Sequence, residues 1–238
     1  MPSAKHVDNE AKGSASTEAL EDYAKAVYKL QQRAEGPVGN SALADELGVS
    51  PGAVSAMLKR MDELGLVAHV PYKGSQLTAA GERLAIEVIR HHRLLESYLV
   101  EVLGMPWDRV HAEAEVLEHY ISEDLEERIA LALGNPSRDP HGDPIPSSEL
   151  ELENEVTRSL NELGPGDTGI FVRVSDSDPE MLRYLAEREI APGERLDVIE
   201  RQPFQGPLSV RFAKGTFVLG GGLAEKMRVL VGAEGAAR

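Results

Sequence analysis

Histidine and carboxylate side chains alternate along residues 110–127 in a pattern that could bind a metal ion. Four of them are His111, Glu115, Glu118 and His119, and Glu115 is four residues from each histidine and three residues from Glu118. On a helix, residues with this spacing share one face. The stretch contains seven acidic residues and no lysine or arginine, so its carboxylates repel one another unless a cation is bound. The pattern predicts a divalent metal site, although a solvated acidic helix with two incidental histidines would show the same spacing.

A second pair of possible ligands, His92 and Glu96, lies four residues apart in the preceding segment. If the two predicted helices pack as neighbours, the donors form two sets. One ion would be held by His92, Glu96 and His111, and another by Glu115, Glu118 and His119. Imidazole and carboxylate donors without sulfur suit Mn²⁺ or Fe²⁺, and they also bind Zn²⁺ or Co²⁺. The chain has no cysteine, which excludes thiolate ligands and disulfides.

The remaining histidines are not predicted to be metal ligands. On a helix His91 points about 100° away from His92, which predicts a surface position. His69 falls in a predicted hairpin and His141 in a predicted turn, while His6 lies in a polar N-terminal leader.

The N-terminal region predicts a winged helix-turn-helix. Apolar residues at three- and four-residue steps predict a first helix of about 17 residues, capped by Ser16 or Thr17. Two shorter helices follow, of which the second begins at Pro51 with Ser50 as its N-cap. Residues 66–78 then form a predicted β-hairpin, the wing. A wing directly after two short helices favours DNA binding over a generic helical core.

After the wing, apolar periodicity predicts two long helices, at 79–103 and 107–133. Residues 135–148 are rich in proline and are predicted to be a linker. The C-terminal part changes to short β-like runs separated by Gly and Pro, at 168–174, 195–201, 208–212, 216–219 and 227–231. A helix is predicted at 179–189, and the glycine run 220–222 predicts a β-turn.

These elements predict a mainly α protein with a small β domain. The expected order is a flexible leader at 1–16, a winged helix-turn-helix at 17–78, a helical metal-binding domain at 79–135, a linker at 136–165 and a small β-barrel at 166–232.

Composition narrows the function. The formal net charge of −15 argues against non-specific binding to nucleic acid, but the first third of the chain is nearly neutral, and a bound cation could offset acid elsewhere. No apolar run would span a bilayer, and the N-terminal segment lacks the apolar core of a secretory signal, so the expected compartment is the cytoplasm. His-Glu-x-x-His and Gly-x-Ser-x-Gly motifs are absent, so neither enzymatic activity nor a small organic substrate is expected.

Five motifs of the chain occur together in one known family. They are Glu21-Asp22-Tyr23 with Tyr28, VSPGAVS at 49–55, RHHRLLE at 90–96, EVLEH at 115–119 and PHGDPIP at 140–146. With them the chain resembles, over residues 17–232, the diphtheria toxin repressor family of metal-dependent regulators. The resemblance implies a winged helix domain, a helical dimerisation domain and an SH3-like C-terminal domain, in a homodimer that represses transcription at a palindromic DNA operator.

The resemblance also implies two metal sites. The primary, activating site would comprise Asp22, Glu115, Glu118 and His119. The ancillary site would comprise His92, Glu96 and His111, completed by a polar group of the SH3-like domain, for which Asp176 and Asp178 are the candidates. The cofactor implied is Mn²⁺ (or Fe²⁺).

Two positions distinguish members of the family. Iron-type members have methionine and cysteine where this chain has Asp22 and Glu115, whereas manganese-type members have carboxylates there. Short manganese-type members have a further carboxylate where this chain has Lys25, so a closely spaced pair of manganese ions is not implied.

The resemblance implies DNA contacts of two kinds. Ser50, Pro51 and Ser55 match positions close to the bases, and phosphate contacts are expected from Lys59, Arg60 and the wing residue Lys73. An ion joining Asp22 to the dimerisation domain would fix the recognition helix relative to the dimer axis. Two other classes stay open: a winged-helix regulator of an organic ligand, and a metal-dependent enzyme on a helix-turn-helix scaffold.

Overall fold

The structure, a computed structural model, describes residues 7–34, 36–152 and 155–232. The chain forms two compact units, each described by itself below. One comprises Met1–His91 with Pro146–Leu150, and the other comprises His92–Ile145 with Glu151–Arg238. Within the described ranges, no helix is both long and apolar enough to cross a membrane.

The first unit contains the predicted winged helix-turn-helix. Its elements in order are α1 (Val7–Ala34), α2 (Asn40–Leu47), α3 (Pro51–Glu63), β1 (Val67–Val70) and β2 (Gly74–Leu77). Helix α3 begins as predicted, because Oγ of Ser50 accepts a hydrogen bond from the backbone N–H of Ala53 at 3.2 Å and Pro51 occupies the first turn. The buried face of α3 consists of Val54, Leu58 and Met61, and residues such as Ser55 and Lys59 on the opposite face are exposed.

A third short strand completes the wing. Strands β1 and β2 are antiparallel, and Val38 pairs with Ser75 of β2 through two backbone hydrogen bonds of 2.7 and 2.9 Å. Gly74 has φ of +116°, and a Cβ there would lie 2.0 Å from the carbonyl oxygen of Val38. Only glycine can therefore occupy this position without moving the strand. The strand at Val38 consists of a single paired residue, which is too short to produce a recognisable strand pattern in the sequence.

Helix α1 begins at Val7, ten residues before the predicted start. The predicted start and cap of the first helix are wrong, because residues 7–16 are part of α1 and Ser16 and Thr17 lie inside the helix. Residues 7–16 include Ala, Glu and Lys, which favour helix, and extending an existing helix costs little compared with starting one. Residues 1–6, including His6, lie outside the described residues.

Three helices build the α-helical part of the second unit: the end of α4 (Ala79–Glu101), α5 (Val110–Leu117) and α6 (Glu123–Ala132). Their buried apolar residues include Leu94, Leu95, Ala114, Ile129 and Ala130, which pack with Ile145. The prediction of one helix at 107–133 is wrong, since the chain turns between α5 and α6. Ser122 begins the new helix: its Oγ accepts from the N–H of Leu125, and acidic residues follow in the first turn.

The small antiparallel β domain is confirmed. Its elements are β3 (Arg158–Ser159), a 3₁₀ turn (Leu160–Glu162), β4 (Thr168–Val174), α7 (Pro179–Ala186), β5 (Arg195–Arg201), β6 (Leu208–Phe212), β7 (Gly215–Leu219), α8 (Gly221–Lys226) and β8 (Met227–Val231). The strand order is β3-β8-β4-β5-β6-β7. Strand β3 precedes the predicted start at 166, and the glycine run predicted as a β-turn instead opens α8. Five of the six strands coincide with predicted runs, because one face of each is buried in a common core that includes Phe171, Leu196 and Val210.

Candidate metal centre and DNA-binding surface

Two helices of the second unit bring the predicted ancillary ligands together. His92 and Glu96 lie one turn apart on α4, and His111 lies in the first turn of α5. Nε2 of His92 is 3.1 Å from Oε1 of Glu96 and 3.1 Å from Nδ1 of His111. Nδ1 of His111 is 3.3 Å from the same oxygen of Glu96. The three donor atoms form a nearly equilateral triangle.

Asp176 of the β domain adds a fourth donor. It follows β4, and its Oδ2 lies 3.1 Å from Nδ1 of His111. The proposal of Asp178 is corrected, because its carboxylate caps helix α7. Its Oδ1 accepts hydrogen bonds from the backbone N–H groups of Glu180 at 3.0 Å and Met181 at 3.3 Å. A carboxylate used in this way points along its own helix.

The four donors fit a divalent cation. Metal–ligand bonds of about 2.1 Å at octahedral or tetrahedral angles place neighbouring ligand atoms about 3.0–3.4 Å apart. The measured separations, from 3.1 to 3.3 Å, lie within that range. Two imidazoles and two carboxylates without sulfur are donors that suit Mn²⁺ or Fe²⁺. Glu96 is fully buried, and a buried carboxylate is expensive without a positive partner.

His92 joins this group to the predicted primary ligands on α5. Its Nδ1 lies 2.5 Å from Oε2 of Glu118 and 3.9 Å from Oε1 of Glu115. The other oxygen of Glu118 is 3.7 Å from Nε2 of His119. A histidine that binds a metal through one nitrogen usually donates its other N–H to a carboxylate, which orients the ring. The sequence predicted two separate sets of ligands. In the structure the two nitrogens of His92 connect these sets.

Asp22 belongs to the first unit. It lies on α1, where its side chain is partly buried, and Lys25 on the same helix is buried. The combination of Asp22 with Glu115, Glu118 and His119 in one metal site therefore stays a prediction.

The pKa shifts of these side chains are those expected where imidazole protons supply the positive charge that a metal ion would otherwise supply. Burial by itself would raise the pKa of Glu96, but His92, His111 and His141 around it hold that pKa well below its usual range. Burial would lower the pKa of His111, but hydrogen bonds to Asp176 and Glu96 raise it to about 10. The pKa of His92 is also raised, because Glu96 and Glu118 outweigh its burial. Near pH 7 the metal-free site therefore holds a proton on the imidazole of His111.

Binding of Mn²⁺ should consequently release protons, and the affinity should fall as the pH is lowered from 8 to 6. The sign follows because metal ions bind neutral imidazole, while the raised pKa of His111 keeps its ring protonated throughout this range. Each proton displaced should change the affinity by about tenfold per pH unit. Calorimetry in buffers of different ionisation enthalpy measures the number of protons released.

Asp176→Asn is the matched control for this measurement. It removes the hydrogen bond that contributes most to the raised pKa of His111, so fewer protons should be released. A heat of binding that does not depend on the buffer, with one affinity from pH 6 to 8, would contradict the expectation.

Sequence reasoning missed the burial of two histidines. His141 lies in a turn, as predicted, but it is fully buried, and its Nδ1 lies 3.4 Å from Oε2 of Glu96. Asp139 is buried beside it, and its pKa is raised to about 8 by burial and by the neighbouring carboxylates of Asp143 and Glu96. His91, interpreted as a surface residue, is also buried. The burial of His141 depends on contacts with Trp107 and Glu96, which lie far away in sequence and which spacing does not reveal.

The predicted DNA contacts lie on exposed positions of the first unit. Ser50, Pro51, Ser55, Lys59 and Arg60 are exposed on or beside α3, and Lys73 is exposed at the tip of the wing. Two further features escaped the sequence. Nδ2 of Asn40 donates to Oγ of Ser55 at 2.9 Å, which attaches the start of α2 to the recognition helix. Tyr72 at the wing tip is fully exposed with φ of +64°, and it adds an amphipathic side chain beside the predicted DNA contacts.

Three family descriptions match the chain. Residues 16–75 match the N-terminal DNA binding domain of iron dependent repressors, and residues 78–147 match their metal binding and dimerisation domain. Residues 158–231 match the FeoA domain.

Individual relatives agree with these matches. The chain is 34% identical over 194 residues to the iron-dependent repressor IdeR of Mycobacterium leprae, an alignment that covers 76% of this chain and 84% of that protein. It is 33% identical over 169 residues to the diphtheria toxin repressor of Corynebacterium diphtheriae, covering 70% of this chain and 69% of that protein. A solved manganese-dependent transcriptional repressor in complex with manganese is 42% identical, with a TM-score of 0.82, and covers 89% of this chain and 99% of its own. The chain therefore belongs to the iron-dependent repressor family of metal-dependent transcriptional repressors, which includes the diphtheria toxin repressor.

Proposed function

We propose that this protein is a manganese-responsive repressor that binds a palindromic operator as a homodimer and controls genes of metal homeostasis. The observation that supports it most is the group of His92, Glu96, His111 and Asp176, whose donor atoms have the separations expected around one divalent ion. A repressor acts where the chromosome is, so we place the protein in the cytoplasm.

Manganese is favoured over iron by the type of donor. At the two positions where the resemblance places methionine and cysteine in iron-type members, this chain has Asp22 and Glu115. Carboxylate oxygen is a harder ligand than sulfur and suits Mn²⁺ better.

The side chains of the second unit orient the ligands before any ion arrives. Glu118 accepts from Nδ1 of His92, which turns Nε2 of that ring toward Glu96 and His111. When bound, the divalent cation supplies the positive charge that offsets the carboxylates of the site. We infer that Asp22, Glu115, Glu118 and His119 form the primary site, so that the DNA-binding domain is held to the dimerisation domain when metal is present.

An apolar groove supports the homodimer. It encloses about 460 Å³ between α4, α5 and α6, and its lining includes Leu99, Leu103, Leu117, Ile121 and Leu125. An exposed apolar surface of this kind usually marks a protein interface. In a twofold dimer the two α3 helices would meet the major groove about one turn of DNA apart, that is about 34–36 Å.

The proposal is tested by the affinity of the wild-type protein for operator DNA with Mn²⁺ and with excess chelator at equal ionic strength. Coupling between an effector and its ligand is typically 5- to about 150-fold, so Mn²⁺ should strengthen operator binding by about 100-fold. Binding to DNA of scrambled sequence, which depends on phosphates, should change much less. Equal operator affinity with Mn²⁺ and with chelator would overturn the proposal.

Replacing Asp22 by Met together with Glu115 by Cys should shift activation from Mn²⁺ toward Fe²⁺. Zn²⁺ is satisfied by about four ligands and does not need Asp22 as a ligand, whereas Mn²⁺ prefers about six oxygen-rich positions, which the Asp22 carboxylate would help to complete. In the wild type Mn²⁺ should therefore activate more strongly than Zn²⁺ despite its lower intrinsic affinity. The measurement is operator binding of both proteins against free Mn²⁺, Zn²⁺ and anaerobic Fe²⁺.

The ancillary group is the internal control, since neither substitution replaces His92, Glu96 or His111. If the double variant keeps the wild-type order of metals, the type of donor at the primary site does not select the metal, and the selection must come from the ancillary group.

A further inference from the structure

A buried polar turn lies behind the ancillary ligands. It comprises residues 139–143, and at its centre His141 is completely enclosed. Nε2 of His141 donates to the carbonyl oxygen of Trp107 at 2.8 Å, and the two rings are stacked with centroids 5.7 Å apart. The ring is therefore held in one orientation by contacts that do not involve any metal ligand.

This orientation directs the other nitrogen at a metal ligand. Nδ1 of His141 faces Oε2 of Glu96 at 3.4 Å, and both atoms are buried without a hydrogen-bond partner of good geometry within the described part of the chain. The other oxygen of Glu96 faces His92 and His111. Glu96 thus has one oxygen directed to the predicted ion and one directed to His141.

A second ion between His141 and Glu96 is disfavoured by the remaining neighbours. Asp139, the third acidic or imidazole side chain of this cluster, uses Oδ1 to accept backbone N–H groups of His141 and Asp143, both at 2.9 Å. Its Oδ2 lies 3.8 Å from Nε of Arg93, which already supplies a positive charge. The cluster fits a support for the ancillary site better than a separate metal site.

The same turn holds the strand that leads to Asp176. The carbonyl oxygen of His141 accepts from the N–H of Val174 at 2.9 Å, two residues before that ligand. Gly142 has φ of +91°, and a Cβ at this position would lie 1.9 Å from the carbonyl oxygen of Val172, so the turn packs directly on β4. His141 therefore contacts Glu96 with its side chain and positions β4 with its backbone.

We propose that His141 is a positioning residue of the ancillary metal site, which orients Glu96 through Nδ1 while its backbone holds β4 so that Asp176 reaches the ion. The inference rests on the proposed function, because it takes the group of His92, Glu96, His111 and Asp176 to bind metal. Partners that orient metal ligands typically contribute about 10- to 100-fold to metal affinity.

Two substitutions separate the nitrogens of His141. In His141→Asn the amide nitrogen lies two bonds from Cβ, as Nδ1 does, so a donor toward Glu96 is retained and the bond to Trp107 is lost. In His141→Gln the amide nitrogen lies three bonds from Cβ, as Nε2 does, so the bond to Trp107 is retained and the donor toward Glu96 is lost. Each variant is titrated with Mn²⁺ alone, and the electron paramagnetic resonance signal of the free ion gives the affinity of each class of site. Asp176→Asn identifies the ancillary site as the class of binding that it weakens.

His141→Gln should weaken the ancillary class about 10- to 100-fold and leave the other class unchanged, whereas His141→Asn should stay close to wild type. His69→Gln, at an exposed histidine of the wing, is the control, and thermal unfolding without metal checks that every variant is folded. The loss in the double variant His141→Gln with Asp176→Asn should be smaller than the product of the single losses, because both act on one site.

Three results would overturn the inference. If His141→Gln binds as wild type, or if His141→Asn is the weaker of the two, packing against Trp107 is the role of the residue, and the proposed function is unaffected. If the wild type shows no class of Mn²⁺ binding that Asp176→Asn weakens, the ancillary site assumed in the proposed function fails together with this inference.

Discussion

Replacing Leu125 by glutamate should convert the protein to a monomer and lower its operator affinity by about 1000-fold. Leu125 lies on α6 and lines the apolar groove, where 45% of its surface is exposed in the single chain. Leu103 at the same groove is 58% exposed, so the apolar surface is accessible before any partner covers it. The substitution places a carboxylate in an apolar interface, where the loss of its hydration opposes association.

The expected loss of operator affinity is large because a dimer carries two recognition helices. Joining two binding modules makes the second contact intramolecular, which typically raises the overall affinity by about 10²- to 10⁴-fold. A monomer loses that gain although each of its helices is intact. Light scattering measures the oligomeric state, and a titration of palindromic DNA in the presence of Mn²⁺ measures the affinity.

Val218→Glu is the matched control for this prediction. Val218 is an apolar residue of β7 that is 55% exposed and lies outside the groove, so the same change of charge there should leave the dimer intact. A variant Leu125→Glu that remains dimeric and binds operator normally would show that the groove is not the dimer interface.

Replacing His92 by alanine should weaken Mn²⁺ binding at the ancillary site by more than about 100-fold. His92 contacts both sets of predicted ligands: Nε2 faces Glu96 and His111, and Nδ1 faces Glu118. Residues that only orient ligands contribute about 10- to 100-fold, so a ligand that also orients others should contribute more. The measurement is the stoichiometry and affinity of Mn²⁺ binding at pH 7.5.

Two buried carboxylates lose their neighbour in this variant, since Glu96 and Glu118 are 0% and 1% exposed. Metal-free His92→Ala should therefore unfold at lower temperature than the wild type. His69→Ala, at an exposed position of the first unit, should change neither property. Unchanged Mn²⁺ stoichiometry and affinity in folded His92→Ala would exclude this histidine from the metal centre.

Local patterns of the sequence were enough for the elements and for part of the metal centre. The spacing of His92 and Glu96 already places both on one face of α4, because the helical repeat alone decides this. The strands Arg195–Arg201 and Leu208–Phe212 coincide with predicted runs, because alternation of buried and exposed residues is a local property of a sheet with one covered face. The N-cap Ser50 likewise predicted that α3 begins at Pro51.

Only the tertiary structure decided which distant groups meet. The sequence left Asp176 and Asp178 as two candidates, and only Asp178, directly before Pro179, has the signature of a helix cap. In the structure the end of β4 brings Asp176 to His111, while Asp178 caps α7. The burial of His141 against Glu96 likewise depends on residues 45 positions apart. Helical and strand periods are set by neighbours along the chain, whereas a metal site is completed by side chains that approach through space, and their approach is determined by the packing of whole elements.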